Sequence, residues 1–131
     1  MKIVSLIPSA TEIITALNLS NNLVGISHEC DHPKEVLKLP KLTTSRIKTK
    51  QSSLKIDYEI KEILEQSLSV YEVKSDLLKR LDPDVIITQS QCSVCAVSLA
   101  EVEKCLIKFI NRKPLLIDLK PNTFEEVLKD I

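Results

Sequence analysis

The sequence predicts an α/β fold, a Rossmann-like parallel sheet of about four to five strands with helices on both faces. Short apolar runs alternate with segments of helical periodicity along the whole chain. The runs are rich in Ile, Leu and Val, as expected of strands buried on both faces, and aromatic residues make up only 3%. The length of 131 residues suits a single domain, 1–131.

A strand and a helix are expected at the start of the chain. Residues 3–7 form an apolar run that Pro8 ends. Ser9 and Glu12 then have the spacing of a capping box, which predicts a helix that ends near Asn18. Its core-facing residues would be Ile13, Ile14 and Leu17.

The next segment contains a second strand and a long amphipathic helix. Residues 23–27 predict a strand that runs into a polar loop, residues 28–33. Residues 34–51 are expected to form a connection with a short strand at 42–43. Apolar residues spaced by three and four predict a helix over residues 52–68.

Two strands and three helices complete the predicted order. Ser75 is expected to cap a short helix that runs through Leu81. Residues 85–89 and 115–119 predict buried strands. Two further capping boxes, each opening a helix, are formed by Ser98 with Glu101 and by Thr123 with Glu126. The first of these helices would point four side chains inward, namely Leu99, Val102, Leu106 and Ile110.

Composition excludes several classes of function. Lys plus Arg number 18 and Asp plus Glu number 18, so the chain lacks the basic footprint of a nucleic-acid-binding protein. A single glycine, Gly25, cannot build the glycine-rich cradle that binds a dinucleotide. The sequence has neither a nucleophile elbow nor carboxylates with separated acid and base roles. We therefore expect a binding protein rather than an enzyme.

The amino terminus lacks the pattern of a signal peptide, because Pro8, Ser9 and Glu12 interrupt its apolar run. As written, the chain is expected in the cytoplasm, where its four cysteines would be thiols. A leader removed from the sequence would instead place the protein in the periplasm or outside the cell.

A ligand site is expected at the carboxyl ends of the strands, where parallel sheets bind their ligands. Polar loops would lie there at residues 8–12, 27–33, 89–95 and 120–122. The candidate ligand-binding residues in these loops are Pro8, Ser9, Thr11, Ser27, His28, Glu29, Gln89, Gln91 and Cys92. His28 is also a candidate metal ligand, because a histidine that follows a strand can coordinate a metal. Purely structural roles stay open, such as a helix cap at Ser9 and a turn braced by Asp31.

Cys92 and Cys95 have the spacing found in zinc sites and in redox dithiols. With Cys30 and His28 from another strand-end loop they would make a set of metal ligands. Two small, partly buried thiols without such a role are the third interpretation. Cys105, in the middle of a predicted helix, is expected in the core.

Several stretches resemble, in the same order, the amino-terminal lobe of the cobalamin-type (class III, helical-backbone) substrate-binding proteins of ABC transporters. They are IVSLIPSATE at 3–12, VGISHECDHP at 24–33, LPKLTTSRI at 39–47, LDPDVIITQ at 81–89 and residues 115–131. The stretch QSQCSVCAVS at 89–98 is similar to the subgroup usually called cobalamin-binding proteins.

The resemblance implies two α/β lobes joined by a long rigid helix, with the ligand held between them. It implies capture of vitamin B12 (cobalamin) or a related metal chelate, followed by docking on a membrane permease. Residues 1–131 would then be the amino-terminal half of a longer protein. A lone lobe covers one face of the ligand, so a second lobe or a second copy in a homo-oligomer would cover the other. A truncated interaction module without a small ligand is the remaining alternative.

Overall fold

The computed structural model describes residues 1–47, 52–65, 70–91, 96–107, 109 and 113–131. Its helices and strands follow one another along the chain as β1 (Ile3–Ser5), α1 (Pro8–Ala16), β2 (Leu23–Ile26), β3 (Thr43–Ser45), α2 (Ser53–Glu65), β4 (Tyr71–Val73), α3 (Ser75–Leu81), β5 (Val85–Gln89), α4 (Leu99–Leu106), β6 (Leu115–Leu119) and α5 (Phe124–Asp130). Short 3₁₀ helices cover Ser20–Asn22 and Lys34–Lys38.

A four-stranded parallel sheet in the order β2-β1-β5-β6 forms the centre of the fold. This arrangement confirms the predicted α/β class. The strands at 85–89 and 115–119 have the predicted bounds, whereas β1 and β2 end before the predicted residues 7 and 27. The burial predicted for 115–119 is wrong, because β6 is at the edge of the sheet and Leu115 is 60% exposed. Because the strands are parallel, the carboxyl ends of all four lie at the same edge of the sheet.

Helices pack against both faces of the sheet. Successive residues of a strand point to opposite faces, so each strand contributes side chains to both helix layers. On one face, Ile14 of α1 packs with Ile3 and Ile26. On the other, Leu78 of α3 and Val102 of α4 belong to a cluster with Val4, Ile86 and the buried Cys105. The core position predicted for Cys105 is therefore confirmed.

An antiparallel pair of strands, β3 with β4, lies outside the main sheet. The sequence predicted a short strand at 42–43 but no partner for it. Lys41 forms a parallel bridge with Ile26, which attaches this pair to the end of β2. Arg46, the residue after β3, lies 3.3 Å from Glu72 of β4 and 3.2 Å from Glu101 of α4. The second of these ion pairs joins the β3–β4 pair to the rest of the domain.

Two of the predicted helix starts are wrong. α1 begins at Pro8 with Ile7 as its N-cap, and within the described residues no side chain caps it, so Ser9 and Glu12 form no capping box. Proline is preorganised for the first helical position, which moves the start ahead of Ser9. Likewise the N-cap of α3 is Lys74, and Ser75 is already helical. Leu17, predicted to be buried, is 46% exposed because α1 ends at Ala16.

The other two predicted caps are present. Ser98 accepts a hydrogen bond from the Glu101 backbone N–H, and Thr123 accepts one from Glu126. The Glu126 carboxylate reaches the Asn122 backbone N–H at 2.6 Å, one residue before the cap. α2 covers Ser53–Glu65 of the predicted 52–68, and residues 66–68, like Ile110, lie outside the described residues. None of the described helices is long and apolar enough to cross a lipid bilayer.

Gly25 should be intolerant of a side chain. A Cβ added there would lie 2.6 Å from Leu42 Cδ1 and 3.0 Å from Leu81 Cδ1. Because Leu42 is fully buried, we expect Gly25→Ala to lower the free energy of unfolding by about 1–3 kcal/mol, as overpacking does. Urea denaturation would measure this change. In a Leu42→Ala background the same substitution should cost clearly less, and equal costs in both backgrounds would contradict the proposed clash.

Candidate functional site

The carboxyl edge of the sheet carries the loops that follow β1, β2, β5 and β6. We call this edge the rim and define it as residues 8–9, 27–33, 89–91 and 120–122. It brings together, from separate parts of the sequence, six candidate residues that are at least partly exposed, namely Pro8, Ser9, His28, Glu29, Gln89 and Gln91. Their participation in ligand binding stays a prediction.

The buried side chains of Thr11, in α1, and Cys30, in the rim loop after β2, contact each other and support the rim from inside the domain. The Thr11 hydroxyl donates to Ser5 Oγ at 2.9 Å, and Ser5 donates to the Ile7 carbonyl at 2.9 Å. Cys30 Sγ lies 3.1 Å from Thr11 Oγ1, within hydrogen-bond distance. Both side chains are buried, so they join the loop after β2 to α1 and β1. Burial raises the pKa of the Cys30 thiol, against the opposing effect of the Thr11 hydrogen bond.

His28 is held at the rim by Thr43 of β3. Thr43 Oγ1 lies 2.7 Å from His28 Nδ1 and accepts a hydrogen bond from the His28 backbone N–H at 2.9 Å. Ser27 Oγ lies 3.0 Å from the same hydroxyl. Ser27, a candidate ligand-binding residue, is buried. Its hydroxyl contacts Thr43 and so helps to position His28.

The other ring nitrogen of His28 faces Glu29 and Tyr71. Nε2 lies 3.0 Å from Glu29 Oε1, within ion-pair distance, but makes no hydrogen bond to any described residue. The Tyr71 ring lies beside the imidazole, with 5.2 Å between ring centroids and 57° between planes. Burial lowers the pKa of His28, as do Lys41 and Lys74, while Glu29 raises it. The lowered pKa favours the neutral form of the ring.

Amide side chains line the rim beyond β5 and β6. Gln89 Nε2 donates to Gln91 Oε1 at 2.8 Å, and Gln91 Nε2 donates to Asn122 Oδ1 at 3.1 Å. Because these groups are exposed or partly exposed, they present amide donors and acceptors to a molecule at this edge.

Asp118 of β6 fixes the start of the loop after β5. Its carboxylate accepts hydrogen bonds from the Ser90 backbone N–H at 2.8 Å and from the Ser90 hydroxyl at 2.7 Å. Lys120 Nζ lies 2.9 Å from the same carboxylate. Burial acts to raise the pKa of Asp118, but the bonds from Lys120 and Ser90 outweigh it and hold the pKa below its usual value.

A metal set of His28, Cys30, Cys92 and Cys95 gains no support from the described residues. Cys92 and Cys95 lie outside them, and among those described there is no group of three His, Cys, Asp or Glu side chains that could hold a metal ion. Cys30 is buried and bonded to Thr11, and His28 Nδ1 is bonded to Thr43. The role proposed for the cysteine pair stays untested.

Thr43 and Tyr71 contribute to the site although the sequence did not single them out. Both belong to the β3–β4 pair, and this pair reaches His28 only through contacts between distant parts of the chain. A hydroxyl at the start of a short strand is too common to signal such a role. The Lys41 bridge to Ile26 is what brings Thr43 beside the loop after β2.

Solved structures with the same fold are periplasmic binding proteins. The chain is similar to the vitamin B12-binding protein BtuF of Vibrio cholerae, with a TM-score of 0.59 and 23% identity over 98% of this chain and 38% of that one. The heme-binding protein RhuT of Roseiflexus sp. RS-1, in apo form, has a TM-score of 0.55 and 21% identity over 89% of this chain and 33% of that one. The heme-binding protein HutB of Vibrio cholerae has a TM-score of 0.55 and 18% identity over 91% of this chain and 33% of that one.

These similarities establish the fold. The chain spans about a third of the length of the three binding proteins, from 33% to 38%. No protein-family model and no curated protein matches it.

His28 should titrate below its ordinary pKa of 6.5, because burial disfavours its charged form. The unfolded chain then takes up the proton first as the pH falls, so the free energy of unfolding should decrease as the pH drops below about 6.5. NMR titration of the imidazole signals would measure this, and a His32→Gln variant would assign them. A His28 midpoint at or above 6.5 would contradict the proposed environment.

Proposed function

We propose that this chain is a binding lobe for a planar metal chelate, either heme or a corrinoid such as cobalamin, taken up as cargo rather than transformed. The observation that carries the proposal is the rim, where a neutral imidazole and a row of amide side chains lie along one edge of a parallel sheet. The periplasmic proteins that share the fold are named for binding heme or vitamin B12.

The chemistry of the rim fits such a ligand in two respects. A chelated metal with an open axial position needs only one protein ligand, and neutral imidazole is the commonest metal ligand in proteins. The amides of Gln89, Gln91 and Asn122 can donate to or accept from polar groups at the edge of a macrocycle. Ligand binding at this edge also follows the general rule for open parallel sheets.

The partner class follows from the same proposal. A cargo-binding lobe of this type would deliver its ligand to an ABC permease, and it would do so from outside the cytoplasmic membrane. One lobe covers one face of a planar chelate, so we propose that a second lobe or a second copy of the chain covers the other. Closure over the ligand would exclude water and tighten binding.

Titration of the 131-residue chain with hemin and with cobalamin tests the proposal. We expect at least one of them to bind, with a change in its visible absorbance and a measurable heat. Gln91→Ala should weaken binding about fivefold, the equivalent of roughly 1 kcal/mol for one hydrogen bond.

Asn21→Ala is the matched control, because this exposed amide lies before β2 and therefore at the opposite edge of the sheet. It should leave the Kd unchanged. No binding of either chelate at millimolar concentration, or equal losses in the Gln91 and Asn21 variants, would contradict a site at the rim.

A further inference from the structure

We propose that Thr43 is a positioning residue that holds the His28 ring so that Nε2 can coordinate the metal of the bound chelate. This inference rests on the proposed function and adds the residue that orients the coordinating histidine. Thr43 Oγ1 contacts both the ring and the backbone of His28, at 2.7 Å from Nδ1 and 2.9 Å from N. A hydroxyl that contacts both groups fixes the rotation of the side chain as well as the position of the loop.

The two nitrogens of the ring have different surroundings. Nδ1 is bonded to Thr43, whereas Nε2 makes no hydrogen bond within the described part of the chain. Glu29 is the carboxylate at 3.0 Å that covers Nε2, and its side chain is 51% exposed. Nε2 is buried in the free chain, so coordination requires the exposed Glu29 side chain to turn outward while Thr43 keeps the ring in place.

The hydroxyl network accepts either tautomer of His28. With the ring proton on Nε2, Thr43 donates to Nδ1 and accepts from Ser27. With the proton on Nδ1, Thr43 accepts from the ring and donates to Ser27, which already accepts from the Glu29 backbone N–H at 3.3 Å. The change needs rotation of two hydroxyl groups and no movement of heavier atoms.

On coordination, Nε2 of His28 would release its proton to solvent and Nδ1 would take up one proton in exchange, so the ring would stay neutral. The lone pair of Nε2 would then bind the metal, any solvent molecule that it displaced would return to solvent, and the oxidation state of the metal would not change. Hydrogen bonding at the second ring nitrogen orients a ligating histidine in many metal sites and increases its basicity.

Four variants of the chain test the assignment, with ferric heme and metal-free protoporphyrin IX as probes. His28→Ala should abolish the absorbance bands of histidine-ligated heme. Thr43→Val should weaken heme binding roughly 10–100-fold and shift the same bands, as loss of an orienting partner does. Thr43→Ser keeps the hydroxyl and should restore both. Thr44→Val, on the next residue of β3, is the matched control and should leave heme binding and its bands unchanged.

Protoporphyrin IX separates a role in coordination from a role in folding. It has no metal, so its affinity should be the same for the wild type and for all four variants. Wild-type binding of both probes with equal losses in Thr43→Val would show a purely structural role and overturn the inference. Unchanged heme bands in Thr43→Val, or in His28→Ala, would also overturn it. Failure of the wild type to bind either probe would instead count against the proposed function for heme.

Discussion

The parallel pairing of β1 with both β2 and β5 is the constraint on which the candidate site depends. Adjacent strands lie about 4.8 Å apart, so the ends of β2 and β5 are separated by roughly 10 Å across β1. A macrocycle of the heme or corrin type can span that distance. Reversal of any one strand would move its loop to the opposite edge and leave the imidazole and the amides on different sides of the molecule.

Hydrogen bonds on the inner side of the rim fix the described backbone of its loops. Lys41 donates to the Cys30 carbonyl at 2.7 Å, and the Cys30 thiol is bonded to Thr11 from below. In the loop after β5, the Asp118 carboxylate holds Ser90 by accepting hydrogen bonds from its backbone N–H and its hydroxyl. Loops that are ordered in the free protein lose less conformational entropy on binding, so more of the free energy gained from their contacts with the ligand contributes to affinity. Residues that never touch a ligand therefore contribute to the site.

Features that depend on neighbouring residues along the chain were predicted more accurately than features that depend on contacts between distant residues. The bounds of β5 and β6 matched residue by residue, because both strands are continuous apolar runs bounded by polar loops. The burial predicted for β6 was wrong, because its position at the sheet edge is set by the tertiary structure. The Ser98 cap was correct because a cap needs only neighbours along the chain. The Ser9 cap was wrong although its spacing was right, because Pro8 takes the first helical position. β4 was missed because its three residues pair with a strand on the far side of α2.

By itself, the sequence determined the α/β class, the bounds of its longest strands and the set of loops that share the carboxyl edge. Those properties depend on periodicity and on the parallel direction that alternating strands and helices impose. Only the tertiary structure decided which candidates reach the surface, since it buried Thr11 and Ser27 and left His28 partly exposed and Gln91 exposed. It also supplied Thr43 as the partner of His28, because a hydrogen bond between distant residues exists only after β2 and β3 have been brought together.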